Sequence, residues 1–343
     1  MISCLLCDKN PAAASIALCV DCVRSFQDRK KLAGLHAPVR RKFGLPATAP
    51  ESSGGVKCNL CFNRCSMGEG ECGYCGLRMN KEGKLVEKSS KKAALVHAYL
   101  DLLPTNCCSS WFCKGSKEDG YNLAVFFYGC SFDCLFCQNF SHKYIDGAPQ
   151  MLEDELIARA LESRVRCICF FGGSPEPHFP FALGVAQEVY EKTEGKKHIC
   201  WEWNGSGNPE LVKRAVELSK KSGGTVKFDL KAFHPNVHAA LCGVGNSHTL
   251  ENFTAVAKMC ADDEDVLTAT TLLVSYYVDP QEVGEIASFI SKLNPRIPYS
   301  LLVFHPDFYL DDLPITPKKQ VFDCYDAASR YLERVNIGNK GLL

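Results

Sequence analysis

From Asn122 onward, short apolar runs alternate with stretches in which apolar positions recur every three or four residues, which is the pattern of strands and helices taking turns. The runs predict strands over Leu123–Tyr128, Cys167–Phe171, His198–Trp203, Thr225–Leu230, Leu267–Val274 and Tyr299–Phe304. Between them the spacing predicts helices over Leu152–Ser163, Phe181–Thr193, Pro209–Lys221, Leu250–Cys260 and Pro280–Lys292. The third helix shows why. Asn208 is placed to cap it and Pro209 to open it; Leu211, Val212, Ala215, Val216 and Leu218 form one apolar stripe, and Gly223 ends it. Strand, helix and strand in repeated succession imply an α/β fold with a parallel sheet, here a partial (β/α)6 TIM-like barrel.

Ahead of this region the pattern is different. Residues 1–35 hold Cys4-x2-Cys7 and Cys19-x2-Cys22, two knuckles with the spacing of a tetrahedral thiolate site such as zinc in a ribbon-like fold. So short a segment cannot bury enough apolar surface to fold alone, so a metal is expected to hold it together. Residues 36–56, rich in Pro, Gly, Ala and Ser, read as a connector with little regular structure, and its basic run Arg40–Gly44 as solvated. Residues 57–118 form a second cysteine-rich segment, with Cys58, Cys61, Cys65 and Cys72 as candidate ligands of a second metal and Cys75 left out. Cys107, Cys108 and Cys113 lie just before the first barrel strand, where they complete one of these metal sites, reach over the active site, or stay unligated. The barrel spans 119–310, and 311–343 is a C-terminal extension.

Lys+Arg and Asp+Glu are equal at 39 each, so no net field draws the 343-residue chain to nucleic acid, which is not expected as a partner. The first residues lack the pattern of a signal peptide and no segment has the apolar length of a membrane span, so a cytoplasmic location is expected. Twenty-one cysteines in a reducing compartment point to metal rather than disulfides, and to an oxygen-poor cytoplasm. Cys167, Cys169, Cys200, Cys242, Cys260 and Cys324 stand singly or nearly so and read as small buried hydrophobes of the core.

The loop after the first barrel strand carries Cys130, Cys134 and Cys137 as C-x3-C-x2-C. Three thiolates can hold three irons of a [4Fe-4S] cube and leave the fourth to an outside ligand, whereas a closed zinc site needs four. Polar residues also close every predicted strand, at the face where parallel barrels gather their working groups. These are Gly172-Gly173 with Glu176 and His178, Glu202 with Asn204, Asp229 with Lys231, Thr270, Thr271 and Ser275, and His305 with Asp307. Gly172-Gly173 frees backbone carbonyls to approach an ammonium. Lys231 offers a cation to a carboxylate, Asp229 or Asn204 could bind ribose hydroxyls or fix neighbouring side chains, and His305 could donate to a ribose or adenine edge.

The cysteine loop with Phe136 before its last cysteine, the Cys58 group, GGSPEPH, WNG, DLK, HTLENF and VFHPDFYLDDLPITP occur in an order that resembles the radical S-adenosylmethionine (radical SAM) superfamily. Within it they resemble the pyruvate formate-lyase activating enzyme-like proteins, nearest the AmmeMemoRadiSam-type branch. The resemblance covers roughly residues 57–340. It implies that Cys130, Cys134 and Cys137 ligate a [4Fe-4S] cluster. It further implies that Phe136, Gly172, Gly173, Asn204, Asp229, Lys231 and His305 line the SAM pocket. Two features depart from the family. Its usual third residue after the glycines is acidic, and here it is Ser174, with Glu176 two further on; the Cys4 to Cys22 knuckle pair is not a feature of the branch.

The function implied is reductive cleavage of SAM to a 5′-deoxyadenosyl radical that abstracts hydrogen from a substrate, with glycyl radical installation on a partner protein as the specific case. A low-potential donor, flavodoxin or ferredoxin-like, and a protein or small-molecule substrate would be its partners. Cobalamin-assisted methylation or another modification is the alternative. From a different class, the alternatives are a non-catalytic iron–sulfur electron carrier and a zinc-stabilised binding protein.

Overall fold

The structure is a computed structural model that describes residues 1–105 and 107–343. At its N-terminus, β1 (Ile2–Ser3) pairs with β2 (Pro11–Ala12), followed by three short helices, α1 (Val20–Arg24), α2 (Arg29–Gly34) and α3 (Ala37–Lys42). Two more antiparallel pairs follow, β3 (Val56–Lys57) with β4 (Ser66–Met67) and β5 (Arg78–Lys81) with β6 (Lys84–Glu87). The remainder builds one sheet.

All six predicted strands are present: β8 (Tyr121–Phe127), β10 (Val165–Gly172), β11 (His198–Trp203), β12 (Val226–Asp229), β13 (Leu267–Leu273) and β14 (Tyr299–Val303). They pair in parallel in that order, and a seventh, β15 (Val335–Gly338), continues the parallel ladder. At the other edge lie two antiparallel strands that the sequence pattern did not predict, β7 (Ala93–Leu102) on β8 and β9 (Gln150–Leu152) on β7. The predicted helices appear as α4 (Glu153–Ala160), α5 (Phe179–Thr193), α6 (Pro209–Ser222), α8 (Ser247–Met259) and α9 (Pro280–Ser291). Two more, α7 (Pro235–Cys242) and α10 (Lys318–Ser329), were not predicted. In α6 the Asn208 side chain accepts from Glu210 N–H, and Gly223 closes the helix at φ +67°.

Alternation along the strands sorts side chains to two faces. Ile168, Phe170, Ile199, Trp201, Trp203, Val226 and Phe228 join the apolar core under the helices. The residues between them, Cys167, Cys169, Phe171, Cys200, Glu202 and Lys227, line a common cavity with residues of β7, β8 and β15. The sheet therefore curls around a lumen. Among the scattered cysteines, Cys242, Cys260 and Cys324 belong to the apolar core as expected. Cys167, Cys169 and Cys200 do not; they are buried, but on the lumen face.

The connector, expected to have little regular structure, holds one short helix, and its basic run is not wholly solvated. Residues 37–42 form α3, and Arg40 of the supposedly solvated basic run is only 1% exposed. His36 and Arg40 face the Asp133 carboxylate, which explains both the order and the burial. The knuckle segment also docks on the barrel: its Val23 and Leu32, with Val39 of α3, join the main core. Arg24 pairs with Asp279 at 2.6 Å and Glu282 at 3.2 Å, and Tyr277 Oη donates to Leu18 O at 2.8 Å. Among the described residues, no helix is long and apolar enough to cross a membrane.

Candidate functional site

The loop after β8 is pinned before it can serve as a ligand frame. Gly129 N–H donates to His142 O at 2.9 Å, Asp133 N–H to Cys242 O at 2.9 Å, and Leu135 N–H to Leu241 O at 2.9 Å. These bonds tie both ends of the cysteine run to neighbouring backbone. Asp133, between the first and second cysteines, is fully buried and meets three cationic or imidazole groups: His36 Nδ1 at 3.0 Å, Arg40 Nη1 at 3.2 Å and the Lys143 ammonium. Burial alone would raise this carboxyl, but the His36 hydrogen bond and the charges of Lys143 and Arg40 outweigh it and hold Asp133 well below the usual carboxylate range.

Cys130, Cys134 and Cys137 line one cavity of about 160 Å³ with Phe136, Gly172, Gly173, Asn204, Asp229 and Lys231. The sequence-predicted SAM residues are thus brought together, except His305, which does not line this space; its Nδ1 lies 3.2 Å from Pro306 O. Gly172 has φ +111°, and a Cβ on Gly173 would lie 2.3 Å from Gly129 O, so both glycines are required by their surroundings. Lys231 Nζ pairs with Asp229 at 2.7 Å and sits 5.7 Å over the Phe136 ring. Burial raises the Asp229 carboxyl even so.

The fit to an iron–sulfur cluster and SAM can be tested on the side chains. Burial pushes up the Cys130 thiol and the Cys137 thiol, the latter to about 12; for Cys134 a hydrogen bond to the Cys242 thiol does so ahead of burial. Phe132 N–H and Asn204 Nδ2 both point at Cys130 Sγ, at 3.3 and 3.7 Å, as donors to a ligand sulfur would. In the same cavity, Thr270 Oγ1 and His142 Nδ1 are buried without a partner among the described residues. Burial holds the His142 ring well below its ordinary range, so it is a neutral hydrogen-bonding group. Soft ligands on one side and polar groups without partners on the other suit these groups. His142 was missed by sequence reasoning, since it lies beyond the cysteines rather than at a strand end.

Ser174 and Glu176, the departure from the family pattern, lie beside this cavity and do not line it. Asn204 Nδ2 donates to Ser174 Oγ at 3.1 Å and to Ser131 Oγ at 2.9 Å, and Ser174 donates to the Glu176 carboxylate. Glu176 therefore holds the loop after β11 in place. Burial raises it to about 7 despite the hydrogen bonds from Ser174, Gly205 and Ser206. A carboxyl whose pKa is higher folded than unfolded stabilises the fold most below its unfolded value, and that stability is lost as pH rises through the folded pKa. Thermal stability of the wild type is expected to fall between about pH 5 and 8 by roughly 3 kcal/mol relative to Glu176→Gln. Parallel melting curves for the two proteins across that range would refute it.

The two N-terminal cysteine groups differ in geometry. Cys4, Cys7, Cys19 and Cys22 are the one group among the described residues whose ligand atoms all lie within 4.8 Å, with Cys7 and Cys19 sulfurs 3.8 Å apart. A tetrahedral metal with 2.3 Å thiolate bonds places its sulfurs about 3.8 Å apart. In the second group, burial above all raises the Cys61 thiol, with the Cys75, Cys65 and Cys58 thiols adding to it, and burial likewise raises the Cys72 thiol. This segment clasps the loop after β11: Phe62 N–H donates to Ser206 O at 2.9 Å and Asn208 N–H to Leu60 O at 2.9 Å. Asn63 Nδ2 reaches Ser131 O in the cysteine loop at 2.8 Å.

Residues 124–290 match the family described as the radical SAM superfamily. An uncharacterised protein of Methanocaldococcus jannaschii is 24% identical over 272 residues, 76% of this chain and 74% of its own. A domain of pyruvate-formate lyase-activating enzyme from Bacteroides vulgatus aligns with TM-score 0.42 and 22% identity, over 50% of this chain and 98% of that one. SuiB of Streptococcus suis, in its structure with the precursor peptide SuiA, aligns with TM-score 0.45 and 15% identity, over 63% of this chain; the chain spans 48% of SuiB.

Proposed function

From the match of residues 124–290 to the radical SAM superfamily, we propose that the chain is an enzyme of that superfamily, one that reductively cleaves SAM and uses the adenosyl radical to abstract hydrogen from a substrate. The observation that carries the reading is the convergence of Cys130, Cys134, Cys137, Gly172, Gly173, Asn204, Asp229 and Lys231 on one cavity. A [4Fe-4S] cluster on the three thiolates, with SAM on the remaining iron, supplies the one-electron cleavage when bound.

The chain's own part is positioning. Gly172 and Gly173 present backbone to the methionyl amine, and Lys231 presents its ammonium to the carboxylate. Asp229 fixes Lys231, and Asn204 bridges the cysteine loop to Ser174. Phe171, Glu202 and Leu302 border both this cavity and the lumen of about 620 Å³ beneath it, so the lumen is where a target carbon would meet the radical. A space of that size inside the sheet favours a substrate small enough to enter it, or a single side chain of a peptide. Glycyl radical installation on a partner protein is the second reading, carried by the sequence resemblance. A flavodoxin or ferredoxin-like donor would supply the electron, and zinc would occupy the Cys4 to Cys22 site.

The test is anaerobic reconstitution, reduction with dithionite and quantification of 5′-deoxyadenosine from added SAM. The wild type is expected to release it and Cys134→Ala to release none. If the two proteins are equally silent with a fully assembled wild-type cluster, and SAM leaves its electron paramagnetic resonance (EPR) spectrum unchanged, the reading is wrong.

A further inference from the structure

The lumen below the radical site holds six thiols that the proposed reaction does not use. Cys167 and Cys169 of β10 and Cys200 of β11 point into it by strand alternation, and Cys107, Cys108 and Cys113 approach from the segment between β7 and β8. They surround a buried ammonium: Lys227, 2% exposed, reaches Cys107 Sγ at 3.1 Å and Cys169 Sγ at 3.5 Å, and pairs with Glu202 at 2.9 Å. Thr225 N–H lies 3.4 Å from Cys200 Sγ, a backbone donor aimed at sulfur. At Gly115 an added Cβ would lie 2.9 Å from Cys167 Sγ and 3.7 Å from Cys113 Sγ, so only glycine leaves the space beside those two sulfurs open. Asn122, 6% exposed, lines the same cavity with its Oδ1 buried and without a partner among the described residues.

We propose that this lumen binds a second iron–sulfur cluster, with ligands drawn from these six cysteines and Cys107 and Cys169 flanking Lys227. An apolar substrate chamber would not be walled by thiols, a lysine and an unpartnered amide. The lumen sulfurs do not form a group within 4.8 Å, the property that singles out Cys4, Cys7, Cys19 and Cys22 among the described residues. They are spread around a space rather than closed on a point, as a polynuclear cluster requires and a single ion does not. A thiolate-bound cluster is an anion, and a buried ammonium with sulfur neighbours is the counter-charge that makes its burial tolerable. Glu202, the partner of Lys227, lines both the lumen and the SAM cavity, so the two spaces adjoin there.

The experiment uses the full chain with the first cluster removed, so that its outcome does not depend on SAM chemistry. The variant Cys130→Ala/Cys134→Ala/Cys137→Ala is reconstituted anaerobically with ferrous iron and sulfide. Iron and acid-labile sulfide are counted per chain, and the dithionite-reduced EPR spectrum is recorded. Adding Cys169→Ala/Cys200→Ala is expected to remove roughly two to four irons with a matching amount of sulfide. Adding Cys107→Ala/Cys108→Ala/Cys113→Ala, outside the sheet, is expected to remove the same amount and keeps the question answerable if the strand variant does not fold. Cys260→Ala, in the apolar core, is the control. Unchanged iron and sulfide after either set of substitutions would overturn the proposal, as would loss of iron without sulfide.

Discussion

Asp133→Ala is expected to cost about 3–5 kcal/mol of stability and to loosen the hold on iron. The side chain is fully buried, and so are its partners: His36, Arg40 and Lys143 are between 0 and 1% exposed. Removing one member of a buried charged group leaves the others without compensation, which costs far more than the pair itself contributes. Here two cations, Arg40 and Lys143, would be stranded. Arg40 keeps its bond to Tyr74 O and its place over the Tyr74 ring, but neither neutralises charge. The consequence reaches function because Asp133 stands between Cys130 and Cys134, while His36 and Arg40 come from the N-terminal part of the chain. The network ties that part to the cluster loop. Circular-dichroism melting should place the variant about 5–10 °C below the wild type, and a chelator should strip its reconstituted iron faster. An unchanged melting point with unchanged iron retention would show that Arg40 and Lys143 do not depend on this carboxylate.

The barrel strands were legible because each is short, apolar and followed by a periodic helix, and every one was found with its ends shifted by at most a few residues. The strands β7, β9 and β15 were not. β15 (Val335–Gly338) is half-buried throughout, so it lacks the solid apolar run of a central strand. β7 (Ala93–Leu102) alternates with His97, Tyr99 and Asp101 on one face, a pattern that marks a strand only once its neighbour is known. The cysteine loop stood out because three cysteines at fixed spacing carry their chemistry locally, and the structure brings them to one cavity. His142 was not, since it reaches the cavity through the packing of the 3-10 turn Phe140–Lys143, which no spacing announces.

The lumen cysteines are the instructive case. Cys167 and Cys169 are two apart on a strand, and Cys200 and Glu202 are two apart on the next. Period-two alternation alone puts each pair on one face. Assigning them to the apolar core overlooked that the intervening residues, Ile168 and Trp201, were already the core-facing set. Arg40 failed for the opposite reason. A basic run in a Pro- and Gly-rich stretch is normally solvated, and only a buried carboxylate 93 positions away in the chain draws it inward.

Gly173→Ala is expected to lower 5′-deoxyadenosine formation at least a hundredfold while leaving the fold intact. Its φ is outside the left-handed region, so the backbone tolerates alanine, and the effect comes from contact alone. The new methyl would lie 2.3 Å from Gly129 O and 2.9 Å from His142 Cγ, with backbone on one side and a buried ring on the other. Neither can move freely: Gly129 N–H is bonded to His142 O, and Gly173 N–H to Phe127 O at 2.9 Å. The strain must therefore pass into Gly129, which precedes Cys130, the first of the three candidate ligands. A shift of about 1 Å in a reacting group is enough for a hundredfold loss. Gly245→Ala, where an added Cβ meets nothing within 4 Å, should behave as the wild type. Iron content divides the possible causes. Normal iron with weakened SAM binding would place the damage in the pocket wall, and lost iron would place it in the cysteine loop. Full activity in Gly173→Ala would mean that the end of β10 yields where its hydrogen bonds and neighbours say it cannot.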